Sequence, residues 1–320
     1  MRPLPTPRQL RYLVTVAETL HFGQAAERCH VTQSTLSAGI RELETLLGAT
    51  LIERQTRRQV VITPLGRDIV DRAERLLADI ESLVDAAQVG MRPLSGLFRL
   101  GVIPTIGPYV MPLALPALRR AYPDLRLYLR EDPSTALLDA LAAGRLDAAL
   151  LAQPFDLRGN RGEELGQEDV MVALPADHPL AAGTHVAEAD LSTEPLLTLE
   201  DGHCLRDHAL AACHLDGGRG SETFQATSLN TLTQMVAGGL GFTLLPRIAV
   251  AREVAPGSGV VVRPLAGRTT PARRLVLCWR PGVAHERNQR LLAAALREAC
   301  REAIDDGEAA EAAPRGDATA

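Results

Sequence analysis

The sequence predicts an α/β protein that carries a small winged helical head and a long helix at its N-terminal end. Three observations support this. Residues 7–47 show three helical apolar stripes with a three-residue turn between the second and third. One further stripe runs from Pro64 to about Val89. From Leu97 onward, apolar strands alternate with helices, which is the pattern of a mostly parallel sheet.

The first helix spans residues 7–20. Pro7 suits a helix start because its missing N–H would be unpaired there anyway. Leu10, Leu13, Val14, Ala17 and Leu20 form its apolar face. A short second helix runs from Gly23 to Cys29, and His30-Val31-Thr32 form the turn. Thr32 caps a third helix, Gln33 to Leu47, whose stripe is Leu36, Ile40, Leu43 and Leu47, and Gly48 stops it. Leu51–Glu53 and Gln59–Thr63, around the polar turn Arg54–Arg58, predict a small hairpin or wing. The long helix repeats Leu65, Ile69, Ala73, Leu76, Ile80, Leu83 and Ala87 at three- and four-residue steps, the pattern of a helix packed on a partner helix. Gly90 to Gly96, with Pro93, breaks it as a hinge.

In the body, LFRLGVIPTI reads as a strand, Tyr109–Tyr122 as a helix, LRLYLRED as a strand, Ser134–Ala143 as a helix and LDAALLA as a strand. A second unit begins near Asp169. It has strands VMVALP and PLLTLE, a helix after Gly202, a strand near TFQAT, a helix from Ser228 to Ala237, and GFTLLP. RRLVLCWRP is a late strand and residues 285–303 a last helix. The tail from Asp305 is acidic and rich in Ala and Gly, a composition that predicts disorder.

The chain has 320 residues, enough for two or three domains. Its net charge of −5 excludes a uniformly basic nucleic-acid binder but permits a basic head on an acidic body. Residues 1–67 hold nine Arg and five acidic residues, a balance of +4, so residues 68–320 carry −9 and the two parts sum to −5. No apolar run resembles a signal peptide or a membrane span, so a cytoplasmic protein without membrane association is expected. In that reducing compartment structural disulfides are rare. The five cysteines (Cys29, Cys204, Cys213, Cys278 and Cys300) do not form a disulfide scaffold, and no CxxC, HExxH or Cys/His cluster offers a metal site. No cofactor is implied.

Two helices joined by a three-residue turn form a helix-turn-helix, whose second helix enters the major groove of DNA. Gln33, Ser34, Thr35 and Ser37 lie at the start of that helix and Arg41 farther along, with side chains able to reach base edges or phosphates. Arg54, Arg57 and Arg58 in the wing are placed for phosphates. Cys29 ends the second helix among apolar neighbours and reads as a core residue.

Cys204 and Cys213 lie nine positions apart in LEDGHCLRDHALAAC. On a continuous helix that spacing is about 13.5 Å of rise, against the about 4.4–6.8 Å between Cα atoms that a disulfide allows. If the two bond, the backbone must be remodelled, which is the coupling a sensor needs. Cys204 follows Gly202 and His203 at a helix start, where backbone N–H groups favour a thiolate. His203 and Arg206 add positive neighbours, and Asp207 opposes them. Two small buried residues of an Ala-rich helix account for the same pair without any chemistry.

Residues 7–66, including AAERCHVTQSTLSAGIRELETLLGATLIER, resemble the winged helix-turn-helix of LysR-type regulators. The remainder is similar to their two-lobed, periplasmic-binding-protein-like regulatory domain, so the resemblance covers residues 5–305. It implies a DNA-binding domain over 1–66 and a linker and dimerisation helix with hinge over 67–96. It also implies a regulatory domain over 97–305, with lobe I at about 97–167 and 271–305 and lobe II at about 168–270, and leaves 306–320 as a disordered tail. TLEDGHCLRD…C resembles the redox motif of the hydrogen-peroxide sensors of that family, and ATSLNTLTQMVAGGLGFTLLP and GVIPTIGPYVMP resemble further segments of theirs. That resemblance makes Cys204 the peroxidatic and Cys213 the resolving cysteine, and puts a peroxide-site hydroxyl on Thr105. His203 and Asp207 become polar partners of the thiol, and Arg274 the arginine that supports it. Ser134 stands where those sensors commonly have threonine. Cys278 and Cys300 are extra thiols read as bystanders, Cys300 being open to stray mixed disulfides if it is exposed.

The resemblance implies a regulator of antioxidant genes rather than an enzyme. Its partners would be double-stranded promoter DNA, hydrogen peroxide, further copies of itself as dimer and tetramer, RNA polymerase, and a glutaredoxin or thioredoxin as reductant. A LysR-type regulator that answers a small organic effector in the lobe cleft is the alternative.

Overall fold

The computed structural model describes residues 3–56, 59–89, 93–191, 194–212, 225–266, 272–283 and 286–312. Two compact units emerge, one built from the N-terminal stretch through the long helix and one from about residue 91 onward.

In the first unit, α1 (Pro7–Thr19) begins with a capping box. Thr6 Oγ1 accepts from the Gln9 N–H while the Gln9 side chain accepts from the Thr6 N–H. It buries Leu10, Tyr12, Leu13 and Val16. α2 (Phe22–Arg28) is capped by His21, whose Nδ1 accepts from the N–H groups of Gly23 and Gln24. α3 (Gln33–Leu47) starts under Thr32, which accepts from the Thr35 N–H at 3.2 Å, and stops at Gly48, where φ is +65°. It buries Leu36, Gly39, Ile40 and Leu43. Gly39 lets the helix meet Tyr12, because a Cβ there would lie 2.8 Å from the ring. β1 (Ile52–Thr56) and β2 (Gln59–Ile62) pair antiparallel as the wing. α4 (Pro64–Val89) follows, with Thr63 Oγ1 accepting from the Gly66 N–H at 2.9 Å. The single stripe read from the sequence divides in the structure. Ala73, with Val70 and Leu77, is buried in the head core and Ile69 packs against it, while Leu65, Leu76, Ile80 and Leu83 are exposed.

The second unit is organised by one long strand. β3 (Gly96–Val102), α5 (Gly107–Ala121), β4 (Leu125–Glu131), α6 (Ser134–Ala142) and β5 (Ala148–Gln153) come first, and β3 pairs parallel with both β4 and β5. β6 (Arg161–Pro175) then runs through both halves of the unit. Residues 161–169 pair with β12 (Ala272–Trp279), and residues 170–175 pair with β10 (Thr243–Pro246) on one side and β11 (Val260–Ala266) on the other. The short strands β7 (Val186–Ala187), β8 (Thr198–Leu199) and β9 (Gln225–Ala226) belong to the second half, as do α7 (Cys204–Ala212), α8 (Leu229–Ala237) and α9 (Arg247–Glu253). β7 pairs with β11, and β8 with β9. α10 (Glu286–Ala312) closes the chain.

This geometry corrects the reading of a mostly parallel sheet. The parallel pairs of this sheet are β4-β3-β5 and the short β11-β7 edge, whereas β12 and β6 run antiparallel to their neighbours. The expected disorder from Asp305 is also corrected as far as Ala312, through which α10 stays helical; residues 313–320 lie outside the described residues. Gly307 lies so close to the Arg247 carbonyl that a Cβ would sit 2.2 Å from it, and Glu311 pairs with Arg247 at 2.5 Å. Docking therefore orders a segment whose composition alone reads as unfolded.

Candidate functional site

On α3, Gln33, Ser34, Thr35 and Arg41 are exposed, opposite the buried stripe. Thr32 Oγ1 lies 2.9 Å from Ser34 Oγ and 2.8 Å from Thr35 Oγ1, so the helix start presents a cluster of hydroxyls. Arg41 Nη1 donates to Ser37 Oγ at 3.2 Å, which places the guanidinium along the same face. Arg54 lies on β1 opposite Val60, while Arg57 and Arg58 lie outside the described residues. Cys29 is half-buried and its thiol meets Thr15 Oγ1 at 3.5 Å, as a core residue would.

The second cluster forms where the two halves of the body meet. Cys204, the first residue of α7, is 2% exposed. Groups from three other elements act on its thiol. The Arg273 guanidinium (β12), the Ser134 hydroxyl (start of α6) and the Ala152 N–H (β5) favour its thiolate, in that order. Burial outweighs them and pushes the thiol above its ordinary pKa, and Asp207 adds to the rise. A depressed pKa produced by the helix start is thus not what the structure shows; the resting side chain is a buried neutral thiol.

Arg273 organises the pocket. It is fully buried, with Nη1 2.9 Å from Thr105 Oγ1 and Nη2 3.0 Å from the Thr105 carbonyl oxygen. Its Nε donates to Glu168 Oε1 at 2.8 Å. The other carboxylate oxygen of Glu168 accepts from the Ile248 N–H, at the start of α9, at 2.9 Å. Burial raises the Glu168 carboxyl pKa, and Arg273, the Ile248 N–H and Arg247 oppose that rise. Thr105 is 2% exposed, and Ser134 is fully buried with no hydrogen bond of ordinary geometry from its Oγ.

Several expected residues lie elsewhere. Arg274 is exposed, because successive strand residues point to opposite faces and Arg273 takes the inward position. Arg206 turns away from the thiol, donating to Thr198 Oγ1 at 3.1 Å and pairing with Asp201 at 3.0 Å. Asp207 is exposed. His203 is buried, which lowers its pKa and keeps it neutral near pH 7, with Glu200 acting in the opposite sense. Cys213 lies outside the described residues. Cys300 is fully buried rather than at the surface, and so is Cys278; burial pushes each thiol up to about 12. Among the described residues no group of His, Cys, Asp and Glu is arranged to hold a metal ion.

Residues 7–67 match the model of the bacterial regulatory helix-turn-helix protein, lysR family, and residues 92–301 match the LysR substrate binding domain. The chain belongs to the LysR family. It is 44% identical over 250 residues to the HTH-type transcriptional regulator EstR of Acinetobacter baylyi, covering 78% of this chain and 82% of that one. It is 42% identical over 290 residues to the DNA-binding transcriptional dual regulator OxyR of Escherichia coli, covering 91% and 94%. A hydrogen-peroxide-bound mutant of OxyR from Corynebacterium glutamicum superposes over the full length of both chains with a TM-score of 0.67 at 33% identity.

Within this LysR-family frame, Glu168 and Arg273 are the site residues that sequence reading missed. Glu168 lies in RGEELGQED, whose density of acidic residues reads as a loop. Arg273 lies beside Arg274, and no spacing rule separates two adjacent arginines when the strand register is unknown.

Proposed function

We propose that this LysR-family chain is a transcriptional regulator that senses hydrogen peroxide at Cys204 and binds promoter DNA through α3 and the wing. One observation carries the reading. Cys204 is buried at the meeting of the two halves of the body, against an arginine, a hydroxyl and a main-chain N–H, at the start of an intact helix. The chain is 42% identical to the regulator OxyR of Escherichia coli and 43% identical to a hydrogen peroxide-inducible genes activator of Dickeya chrysanthemi, and an OxyR mutant of Corynebacterium glutamicum has been seen with peroxide bound.

The Cys204 thiolate attacks one peroxide oxygen. The S–O bond forms as the O–O bond breaks, giving a sulfenic acid and hydroxide, which takes up the proton the thiol released. Groups that donate hydrogen bonds around the thiol, such as Ser134 and the Ala152 N–H, suit the orientation of peroxide and its leaving oxygen. The Cys213 thiol then displaces water from the sulfenic acid to form the disulfide. Cys204 and Ala212 are the ends of α7, about 12 Å of rise apart. The next Cα is bonded within about 3.8 Å of Ala212, so it stays beyond the about 4.4–6.8 Å that a disulfide allows while the helix lasts. Oxidation therefore unwinds α7 and alters the packing of its half of the domain.

In this reading residues 1–66 bind DNA, residues 67–96 form the linker, and the two lobes divide at about 167–168 and 270–271. The exposed Leu65, Leu76, Ile80 and Leu83 of α4 provide the face for dimerisation, and pairs of dimers form the tetramer on DNA. A thioredoxin or glutaredoxin dithiol reduces the disulfide, and the oxidised form engages RNA polymerase at antioxidant genes. No helix among the described residues is long and apolar enough to cross a membrane, and a cytoplasmic site of action fits the reversible thiol chemistry.

Peptide mapping without reductant, before and after stoichiometric peroxide, tests this reading. A Cys204–Cys213 linkage that appears only after peroxide is expected, together with a changed DNA footprint that Cys204→Ser abolishes without loss of DNA binding. The match of residues 92–301 to the LysR substrate binding domain supports a second reading, a LysR-family regulator of a small organic effector. Absence of the linkage after peroxide selects it.

A further inference from the structure

A buried ion pair at the thiol site, with its hydrogen bond to α9, ties together three elements that the fold could otherwise separate. Glu168 and Arg273 are both 0% exposed at their side chains and lie on neighbouring strands β6 and β12. A buried pair of this kind gains little over an apolar pair of the same volume, because desolvating both charges offsets their attraction. Its geometry is specific, however. Glu168 uses Oε1 for Arg273 Nε at 2.8 Å and Oε2 for the Ile248 N–H at 2.9 Å, so one carboxylate joins β12 to the start of α9. With Nε occupied, both terminal nitrogens of Arg273 are turned onto Thr105, at 2.9 and 3.0 Å. The α9 end is held in turn, since the neighbouring Arg247 pairs with Asp169 at 3.1 Å and with Glu311 of α10 at 2.5 Å.

We propose that Glu168 is the positioning residue of the sensor site, holding the Arg273 guanidinium in the orientation that binds Thr105 and keeps its charge at the Cys204 pocket, and anchoring that assembly to α9. The inference rests on the peroxide-sensing reading above and names a residue through which that site is set. Glu168 does not touch peroxide; it acts through Arg273. Gln at this position can accept from Arg273 or from the Ile248 N–H but supplies one acceptor oxygen, so one of the two links is lost. Asp keeps the charge but is one methylene too short to span both.

The test uses the full chain with hydrogen peroxide as the probe. The rate of Cys204 oxidation and the pH midpoint of Cys204 alkylation are measured for wild type, Glu168→Gln, Glu168→Asp, Arg273→Lys and the Glu168→Gln/Arg273→Lys double variant. Misplaced reacting groups cost about 10- to 100-fold in rate, and that loss is expected for both Glu168 variants. Glu168→Gln should also lower the alkylation midpoint, because Arg273 keeps its charge and loses its counter-ion, whereas Glu168→Asp should leave the midpoint in place. A residue with only a structural role would lower the melting temperature and move neither quantity. In the Arg273→Lys background Glu168→Gln should add no further loss of rate. Wild-type oxidation rates in both Glu168 variants, or fully additive losses in the double variant, overturn the proposal. If Glu168→Gln does not fold, the charge-conserving Asp variant decides by its rate alone. Failure of peroxide to oxidise Cys204 in the wild type would instead remove the sensor reading itself.

Discussion

Arg273 holds Thr105 at both ends of the residue, one terminal nitrogen on the side-chain oxygen and the other on the main-chain oxygen. The same guanidinium is the strongest of the groups that favour a thiolate at Cys204. Replacing Arg273 by Ala removes that cation and leaves Glu168 buried without its partner, a loss of about 3–5 kcal/mol in stability. The Cys204 alkylation midpoint should rise and peroxide oxidation should slow. Arg274→Ala, at an exposed position, should change neither; urea unfolding and alkylation rates across pH check both variants.

Ser134 gives the opposite balance. Its buried hydroxyl lacks an ordinary hydrogen bond, so Ser134→Ala should leave stability within about 1 kcal/mol of wild type. The hydroxyl does favour the Cys204 thiolate, so the alkylation midpoint should move up. A large loss of stability with an unmoved midpoint would mean that the hydroxyl holds the fold rather than the sulfur.

Cys278 and Cys300 should give the chain an alkaline limit. An unfolded thiol ionises near 9.0, whereas each of these holds its proton to about 12 when folded. Their contribution is therefore complete below pH 9.0 and declines as pH rises toward about 12, by about 1.4 kcal/mol per pH unit for each thiol. His203 acts at the other end. Its folded pKa lies below the ordinary 6.5, so its contribution is present above that pH and is lost as pH falls through it. Denaturant midpoints should fall more steeply from pH 9.0 upward for wild type than for Cys278→Ala or Cys300→Ala. Both thiols should resist maleimide until the protein unfolds.

Gly307 tests the docked end of α10. An added Cβ would meet the Arg247 carbonyl, so Gly307→Ala should cost about 1–3 kcal/mol despite the higher helix propensity of Ala. A stabilised variant would mean that this end of the helix is free of α9. Thermal melts of the two proteins distinguish the outcomes.

How far the sequence could be read depended on whether a feature was local. The head was legible because each of its signals lies within one turn of chain: Pro7 as a start, Thr32 as a cap, Gly48 as a stop, Leu36, Ile40 and Leu43 as a stripe. VMVALP was legible because that half of β6 is flanked on both sides by β10 and β11 and is apolar throughout. The half from Arg161 to Asp169 was not, because charges line its solvent side, where Glu163 meets Arg297 at 2.7 Å. Arg274 was preferred over Arg273 for the same reason: inward and outward positions on a strand follow from register with neighbours that are distant in sequence.

The sequence alone determined the helix-turn-helix, the long helix, the α/β alternation and the position of Cys204 at a helix start, because caps, stripes and turns act over three or four residues. The tertiary structure decided which arginine faces the sulfur, that Glu168 joins it to α9, and that α10 is ordered to Ala312. It also decided that burial raises the Cys204 pKa where a helix start alone would lower it. Desolvation and ion pairing depend on what the rest of the chain brings within a few ångströms, and no spacing along the sequence records that.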